Sequence, residues 1–427
     1  MKIKSLSALR VWDSRGRPTI EVCITTQSGI TGRAIAPAGA STGSGEAVDR
    51  RDGGSFLGGY DVLDAVHAVR TEIADALIGH DVRDQEAIDR ALEQCDGTPN
   101  FARLGGNATI ATSMAVAQAA AAHQPLWSHL LGETQTDVML PVPEIQIFGG
   151  GAHAAGQMDL QDFMVVPFGA ESFAQAMEWT AHIYHTAGAF LDEKSLRFGV
   201  ADEGGYWPVF GSNEEAIEAL LSVIERAGFC PNTQVGMSID VAASQFFENG
   251  LYNLARDKCQ LAPDEWYGTV RGWLDRYPIK MIEDPFDETD LERHRRFTQE
   301  NGHRAQVVGD DLLVTHVDRV EKAAALGACN TLLCKPNQAG TVSRAKQAAD
   351  AARRAGWDVV VSARSGESED VSIVHFVIGW QMRQLKVGSF SRSERMAKWN
   401  EVLRIEQSLG ARAHYAGGDV FGKFVRT

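Results

Sequence analysis

The sequence predicts an α/β protein: a closed β/α barrel preceded by a smaller α+β unit. Three observations predict it. From Leu140 onward, short apolar runs alternate with amphipathic segments at intervals of about 25 to 45 residues, the length of a strand, a helix and the return. Six of these runs lead into polar or ionisable residues, as strands do when their C-terminal ends form the rim of a barrel. Residues 1–135 instead carry β-branched runs first and helices after, which is the order of an α+β unit. The boundary is therefore placed at 135/136, with residues 136–427 as the barrel. An open doubly wound sheet is the alternative, although it gathers its chemistry at one switch point rather than at six strand ends.

The elements follow in order. Residues 20–26 and 31–36 flank Ser28-Gly29 and form a hairpin. After a loop rich in Gly, Ala and Ser, residues 61–78 show helical spacing, with Asp61 as the cap and Gly79 as the stop. Residues 85–92 and 108–122 are further helices, the second Ala-rich enough for a face of small residues. In the barrel, 235–239 ends at Asp240, 279–282 at Glu283, 306–308 at Asp310 and 331–334 at Lys335. Residues 359–361 lead to Ser362–Ser365, and 384–385 to Lys386. Helices fill the intervals, as at 343–355, closed by Gly356.

Composition excludes several partners. The 427 residues carry 41 Lys and Arg against 56 Asp and Glu, a net charge of −15. Nucleic acid or an anionic membrane as the main partner would need a basic face. A small anionic substrate is compatible, because a few cations or metals in a cleft reverse the local field. No apolar run approaches the roughly 20 residues of a spanning helix. Six scattered cysteines without a CxxC pair suit buried thiols in a reducing cytoplasm. The expected location is cytoplasmic.

Asp240, Glu283 and Asp310 stand at successive strand ends and converge at a barrel mouth. Singly, each would be read as the cap of the next helix. Three in consecutive units, without cysteine or an HExxH pattern, suit a hard divalent cation, magnesium before zinc. Lys335 follows an apolar run, so burial and a nearby cation should lower its pKa toward that of a usable base. Arg364-Ser365-Gly366 offers a fork, a hydroxyl and backbone N–H groups to a phosphate or carboxylate. Lys386, a second cation, implies an anion with more than one charged end. Asp202-Glu203-Gly204-Gly205 and Gly149-Gly150-Gly151-Ala152-His153 are glycine-rich loops without the strand–GxGxxG–helix context of a dinucleotide site.

These residues fall into motifs. DSRGRPTIEV (13–22), GASTG (39–43), DEGG (202–205), SIDVAAS (238–244), IEDPF (282–286), GDDL (309–312), KPNQ (335–338), RSGESED (364–370) and RSERMAKWN (392–400) resemble those of the enolase family, in order and over nearly the whole chain. The resemblance implies an N-terminal α+β capping domain and a modified TIM (β/α) barrel, assembled as a homodimer or a ring of dimers. It implies two Mg2+ ions, the first on Asp240, Glu283 and Asp310, the second met by Ser41 on a mobile loop. By the same resemblance Lys335 is the base that removes the C2 proton of 2-phosphoglycerate, Lys386 holds the carboxylate, and Arg364, Ser365 and His153 hold the rest of the substrate. Glu203 delivers a proton to the departing 3-hydroxyl. A lysine base with magnesium is the enolase superfamily's own pattern and is taken over from the resemblance.

The chain also departs from that family. Gln161-Asp162-Phe163 stands where QEF is usual, and Ala363 stands where the family has histidine. The glycine loop lacks the usual asparagine and serine, and Trp207 replaces a small residue. Asp162 and Ala363 both shorten a side chain on the leaving-group side, and losing one acid–base partner costs about 10²–10⁴-fold. The sequence therefore reads as a specialised member that keeps proton abstraction but has a rebuilt leaving-group side. It resembles the carboxyphosphonoenolpyruvate synthase of phosphonate biosynthesis, which acts on a phosphonylated carboxylate. The alternatives are an ordinary phosphopyruvate hydratase, giving phosphoenolpyruvate, and a non-catalytic binding protein.

Overall fold

The computed structural model describes residues 1–132 and 137–422. The expected domain boundary at 135/136 lies outside the described residues. The chain opens with an antiparallel meander of β1 (Ile3–Trp12), β2 (Pro18–Thr26) and β3 (Thr31–Ile35). β1 is a strand that the sequence reading did not anticipate. The Ala-rich helix Gly106–Ala121 packs on β2 and β3. Its small residues permit close approach: a Cβ on Gly32 would lie 2.1 Å from the Ala115 carbonyl oxygen.

The helix expected at 61–78 is present but differs in two ways. It runs as Leu63–Ala68, a π turn at Val69–Ile73, and Ala74–Leu77. Asp61 is not its cap: Val62 holds that position, and the Asp61 carboxylate accepts only from the Val62 N–H at 2.9 Å and from Arg10 at 2.7 Å. Asp52 takes the capping role from the preceding loop, accepting the N–H groups of Leu63 and Asp64.

Eight strands close the barrel: β4 (Val142–Gly149), β5 (Asp162–Val166), β6 (Gly236–Asp240), β7 (Ile279–Glu283), β8 (Gln306–Gly309), β9 (Thr331–Cys334), β10 (Asp358–Ser362) and β11 (Gln384–Ser389). β11 pairs with β4, from Gln384 opposite Val142 onward, which excludes the open sheet. The expected parallel series is broken once, since β5 is antiparallel to both β4 and β6. β4 and β5 were not foreseen: Pro143 and the buried Glu144 and Gln146 disguise β4 as a loop.

Strand pleating positions the site. Met281, Val308, Leu333 and Val360 point into the barrel, over a base closed by Ala416, Val420 and Phe421. Two residues further along each strand direction, on the same face, come Glu283, Asp310, Lys335 and Ser362. Ser238 and Gln384 lead in the same way to Asp240 and Lys386. The polar ring thus stands on a buried layer that is apolar at Met281, Val308, Leu333 and Val360 and polar at Ser238 and Gln384.

Candidate active site

Gly39, Ser41, His153, Glu203, Lys335 and Arg364 are among the residues lining a cavity at the C-terminal rim, with an empty volume of about 270 Å³. Its lining is mostly charged and polar, which suits a small polar ligand. A larger hollow of about 1030 Å³ lies between the N-terminal unit and the barrel, lined by Glu86, Asp89 and Arg344 among others. It gathers none of the strand-end groups, so the chemistry belongs to the smaller cavity.

The three acids are buried, each 4% exposed or less. Lys386 Nζ donates to Asp240 at 2.9 Å and to Glu283 at 2.8 Å. Burial alone would strip the Lys386 proton, but Asp240 and Glu283 outweigh it and hold the ammonium well above its ordinary pKa. Lys335 Nζ is paired with Asp310, whose other oxygen accepts from Gln338 at 2.9 Å. The expected depression of Lys335 is therefore not found. Burial does lower its pKa, but the Asp310 carboxylate raises it further, and the net shift is upward.

The chemistry of the three carboxylates suits a hard divalent cation, although among the described residues their oxygens are not drawn together into one ligand cluster. Glu283 Oε1 is buried without a hydrogen-bond partner. Burial, together with the charges of Asp240 and Asp310, pushes the Glu283 carboxyl well above its usual range. A cation relieves both conditions with the oxygen chemistry that magnesium prefers. Ser41, on the loop after β3, borders the cavity, and its carbonyl accepts from Arg364 at 2.9 Å.

The segment expected to cradle an anion is built against both units. Arg364 donates to Glu46 at 2.9 Å and to Asn337 at 3.1 Å. Gly39 is required here, because a Cβ would sit 2.0 Å from the Arg364 guanidinium. Ser365 Oγ accepts from Arg15 at 3.4 Å. Arg395, wholly buried, donates to the carbonyls of Arg364, Ser365 and Val387. Glu46, Arg15 and Arg395 were missed as individual residues. GASTG ends three residues before Glu46, and DSRG and RSERM contain the two arginines.

On the opposite side, His153 Nδ1 lies 3.0 Å from Asp162 Oδ1, and His153 Nε2 lies 3.8 Å from Glu203. Burial opposes the imidazolium, yet Asp162 and Glu203 raise its pKa to about 8. Burial likewise disfavours the Asp162 carboxylate, but His153 and Lys386 bring its pKa down to about 2. Asp162 does not line the cavity; its other oxygen is 3.8 Å from Lys386. Ala363 does line it. Gln146, also missed, donates to Asp162 and accepts from Gly205 N–H at 2.8 Å.

Comparison with known proteins shows the family. Residues 3–130 match the family model "Enolase, N-terminal domain", and residues 137–424 match "Enolase, C-terminal TIM barrel domain". "Enolase 1" of Desulfitobacterium hafniense (strain Y51) is 45% identical over 425 residues, covering 98% of this chain and 97% of that protein. No helix among the described residues is long and apolar enough to cross a membrane. The chain is an enzyme of the enolase family, a lyase in class.

Proposed function

We propose that this chain removes the C2 proton of 2-phosphoglycerate and expels the 3-hydroxyl as water, giving phosphoenolpyruvate. The observation that carries the reading is one small cavity lined by Lys335, Lys386, Asp240, Arg364 and Ser365, with Asp310 and Glu283 paired to its two lysines. The 45% identity to "Enolase 1" supports ordinary dehydration ahead of a specialised reaction.

In this reading Asp240, Glu283 and Asp310 hold one magnesium ion, and Ser41 reaches toward a second. Bound there, magnesium supplies positive charge against the extra negative charge that gathers on the carboxyl group as the α-proton leaves. Lys335, in its neutral form, takes that proton. Lys386 orients the substrate carboxylate, and Arg364, Ser365 and His153 hold the phosphate end. Glu203 and Asp162 stand on the acid side.

A second reading keeps the same first step with another leaving group or acceptor, as in a carboxyphosphonoenolpyruvate synthase. Two observations favour it. Ala363 leaves the cavity wall short beside Arg364, and Asp162 is turned to His153 and Gln146 rather than into the cavity. A homodimer is the proposed assembly, supported by Leu9, Trp12 and Phe198, each about half exposed or more. A cytoplasmic location and two domains meeting between residues 130 and 137 complete the proposal.

The test is exchange of the C2 proton of 2-phosphoglycerate in D2O, followed by phosphoenolpyruvate appearance. Magnesium-dependent exchange with matching product formation is expected. Exchange without product moves the assignment to the second reading, and no exchange sinks both.

A further inference from the structure

The hollow of about 1030 Å³ between the N-terminal unit and the barrel lies outside the proposed reaction. Helix Gln85–Asp96 lines one side and helix Val342–Arg354 the other. The two helices are bonded across the gap by buried groups. Asp89, 1% exposed, accepts from Ser343 N–H at 2.8 Å, and Ser113 Oγ accepts from Val342 N–H at 2.9 Å. The space is therefore preformed. Two ion pairs border it, Glu86 with Arg90 at 3.2 Å and Glu93 with Arg344 at 2.7 Å. Arg344 also donates to the Pro99 carbonyl at 3.0 Å and lies over the Phe101 ring, which holds its guanidinium at the wall. Asn100, His316 and Gln347 line the same space, and among the described residues their side chains have no partner. Ala47, Val317 and Ala339 supply an apolar portion.

Such a lining selects by charge. The four charged groups sum to zero and are already paired, so a ligand with a single charge breaks a pair and leaves its other member unanswered. A zwitterion exchanges ion pair for ion pair, its carboxylate meeting an arginine and its ammonium a glutamate. The three unpartnered side chains add neutral donors and acceptors, and the apolar portion receives a hydrocarbon side chain.

One wall of the hollow is bonded to the strand-end groups. Thr315 and Gln338 line it. Thr315 Oγ1 accepts from the Lys335 N–H at 2.9 Å and donates to Gln338 Oε1 at 2.7 Å. The Gln338 amide in turn donates to Asp310 at 2.9 Å and to Glu46 at 3.2 Å. Val314 and Thr315 hold φ at 43° and 51°, a left-handed conformation that β-branched residues rarely adopt, so this turn stores strain beside the hollow.

We propose that the hollow is a second ligand site, for a free α-amino acid with an apolar side chain, whose occupation slows turnover through Thr315 and Gln338. A ligand that hydrogen-bonds to either side chain draws it from Lys335 and Asp310, which are then held less firmly. The coupling rests on the reading that Lys335 and Asp310 serve removal of the C2 proton; the binding itself does not.

The experiment titrates L-leucine into the magnesium-loaded enzyme by calorimetry, beside isocaproate and isopentylamine, which keep the side chain but carry one charge each. Leucine should bind with a dissociation constant on the order of 1 mM or below, and each single-charge probe about 10-fold more weakly or worse. Arg90→Glu, at an exposed position on its helix, makes the lining acidic. It should weaken leucine about 10-fold and strengthen isopentylamine, with turnover in the absence of leucine at the wild-type rate. Saturating leucine should lower kcat for 2-phosphoglycerate by about 5-fold or more in the wild type. Absence of binding by leucine, equal binding of the three probes, or leucine binding unmoved by Arg90→Glu overturns the site. Leucine binding that leaves kcat unchanged overturns the coupling. Absence of turnover in the wild type would strike the reading of the reaction, while the calorimetry still decides the site.

Discussion

On one side of the cavity the reactive groups stand at the ends of parallel strands. On the other they hang from two glycine-rich loops and from the single antiparallel strand, β5. Asp240, Glu283, Asp310, Lys335 and Lys386 are fixed by the pleat of strands whose preceding inward residues are buried in the barrel. Their ammonium and carboxylate groups neutralise one another in contact. His153 and Glu203 have no such scaffold and are held by amides and backbone N–H groups between loops, while Asp162 opens β5. The difference teaches where this fold is free to change. Altering a strand-end group leaves a buried charge unpaired, at a cost of about 3–5 kcal/mol when one partner of a buried pair is removed. The loop-borne side is held by fewer buried charge pairs and so re-pairs more readily.

The largest effect should come from the strand-end side. Lys335→Ala is expected to lower C2 exchange by roughly 10²–10⁴-fold. Magnesium binding, followed by calorimetry, should be retained, because Asp310 loses only a competitor for its oxygens. Persistent exchange would remove Lys335 as the base. Next, Ala363→His with Asp162→Glu probes the loop-borne side. If the second reading holds, dehydration should rise by roughly 10-fold or more with exchange unchanged. An unaltered rate means that His153 and Glu203 already complete the acid side.

Much of the strand-end side was legible in the sequence, because period-2 apolar runs ending in ionisable residues carry their own geometry. Asp240, Glu283, Asp310, Lys335 and Lys386 needed only that pattern. The motifs supplied the rest of the family assignment, but not the partners. Nothing in GASTG or RSERM says that Glu46 and Arg395 clasp the same arginine segment from opposite sides, since those contacts join residues some 30 to 320 positions apart. β4 escaped because its inward positions are the polar Glu144 and Gln146. The upward shift of Lys335 escaped for another reason: a sequence can place a lysine near acids, but only coordinates show the ammonium on Asp310.

Arg395 sharpens the comparison in stability rather than rate. Arg395→Met leaves three buried carbonyls without their donor, and denaturant unfolding should show a loss of roughly 2–4 kcal/mol. A loss below about 0.5 kcal/mol, the usual range for surface substitutions, would mean that the cradle repacks as easily as the loop-borne side.

The smallest effect is a dependence on pH carried by His153 on the loop-borne side. His153 is held at about 8 in the folded protein, against about 6.5 for an ordinary imidazole. A pKa raised by folding contributes stability that is complete below the unfolded value and disappears as pH rises through the folded one. The window is therefore pH 6.5 to 8, and the contribution is on the order of 2 kcal/mol. Asp162 itself, held at about 2, stays ionised throughout that window and adds no slope. Melting of the wild type and of Asp162→Asn should accordingly differ most near pH 6 and converge toward pH 9. A gap that stays constant across this range would show that Asp162 supports its loops by hydrogen bonding to Gln146 alone, with no part in holding the charge on His153.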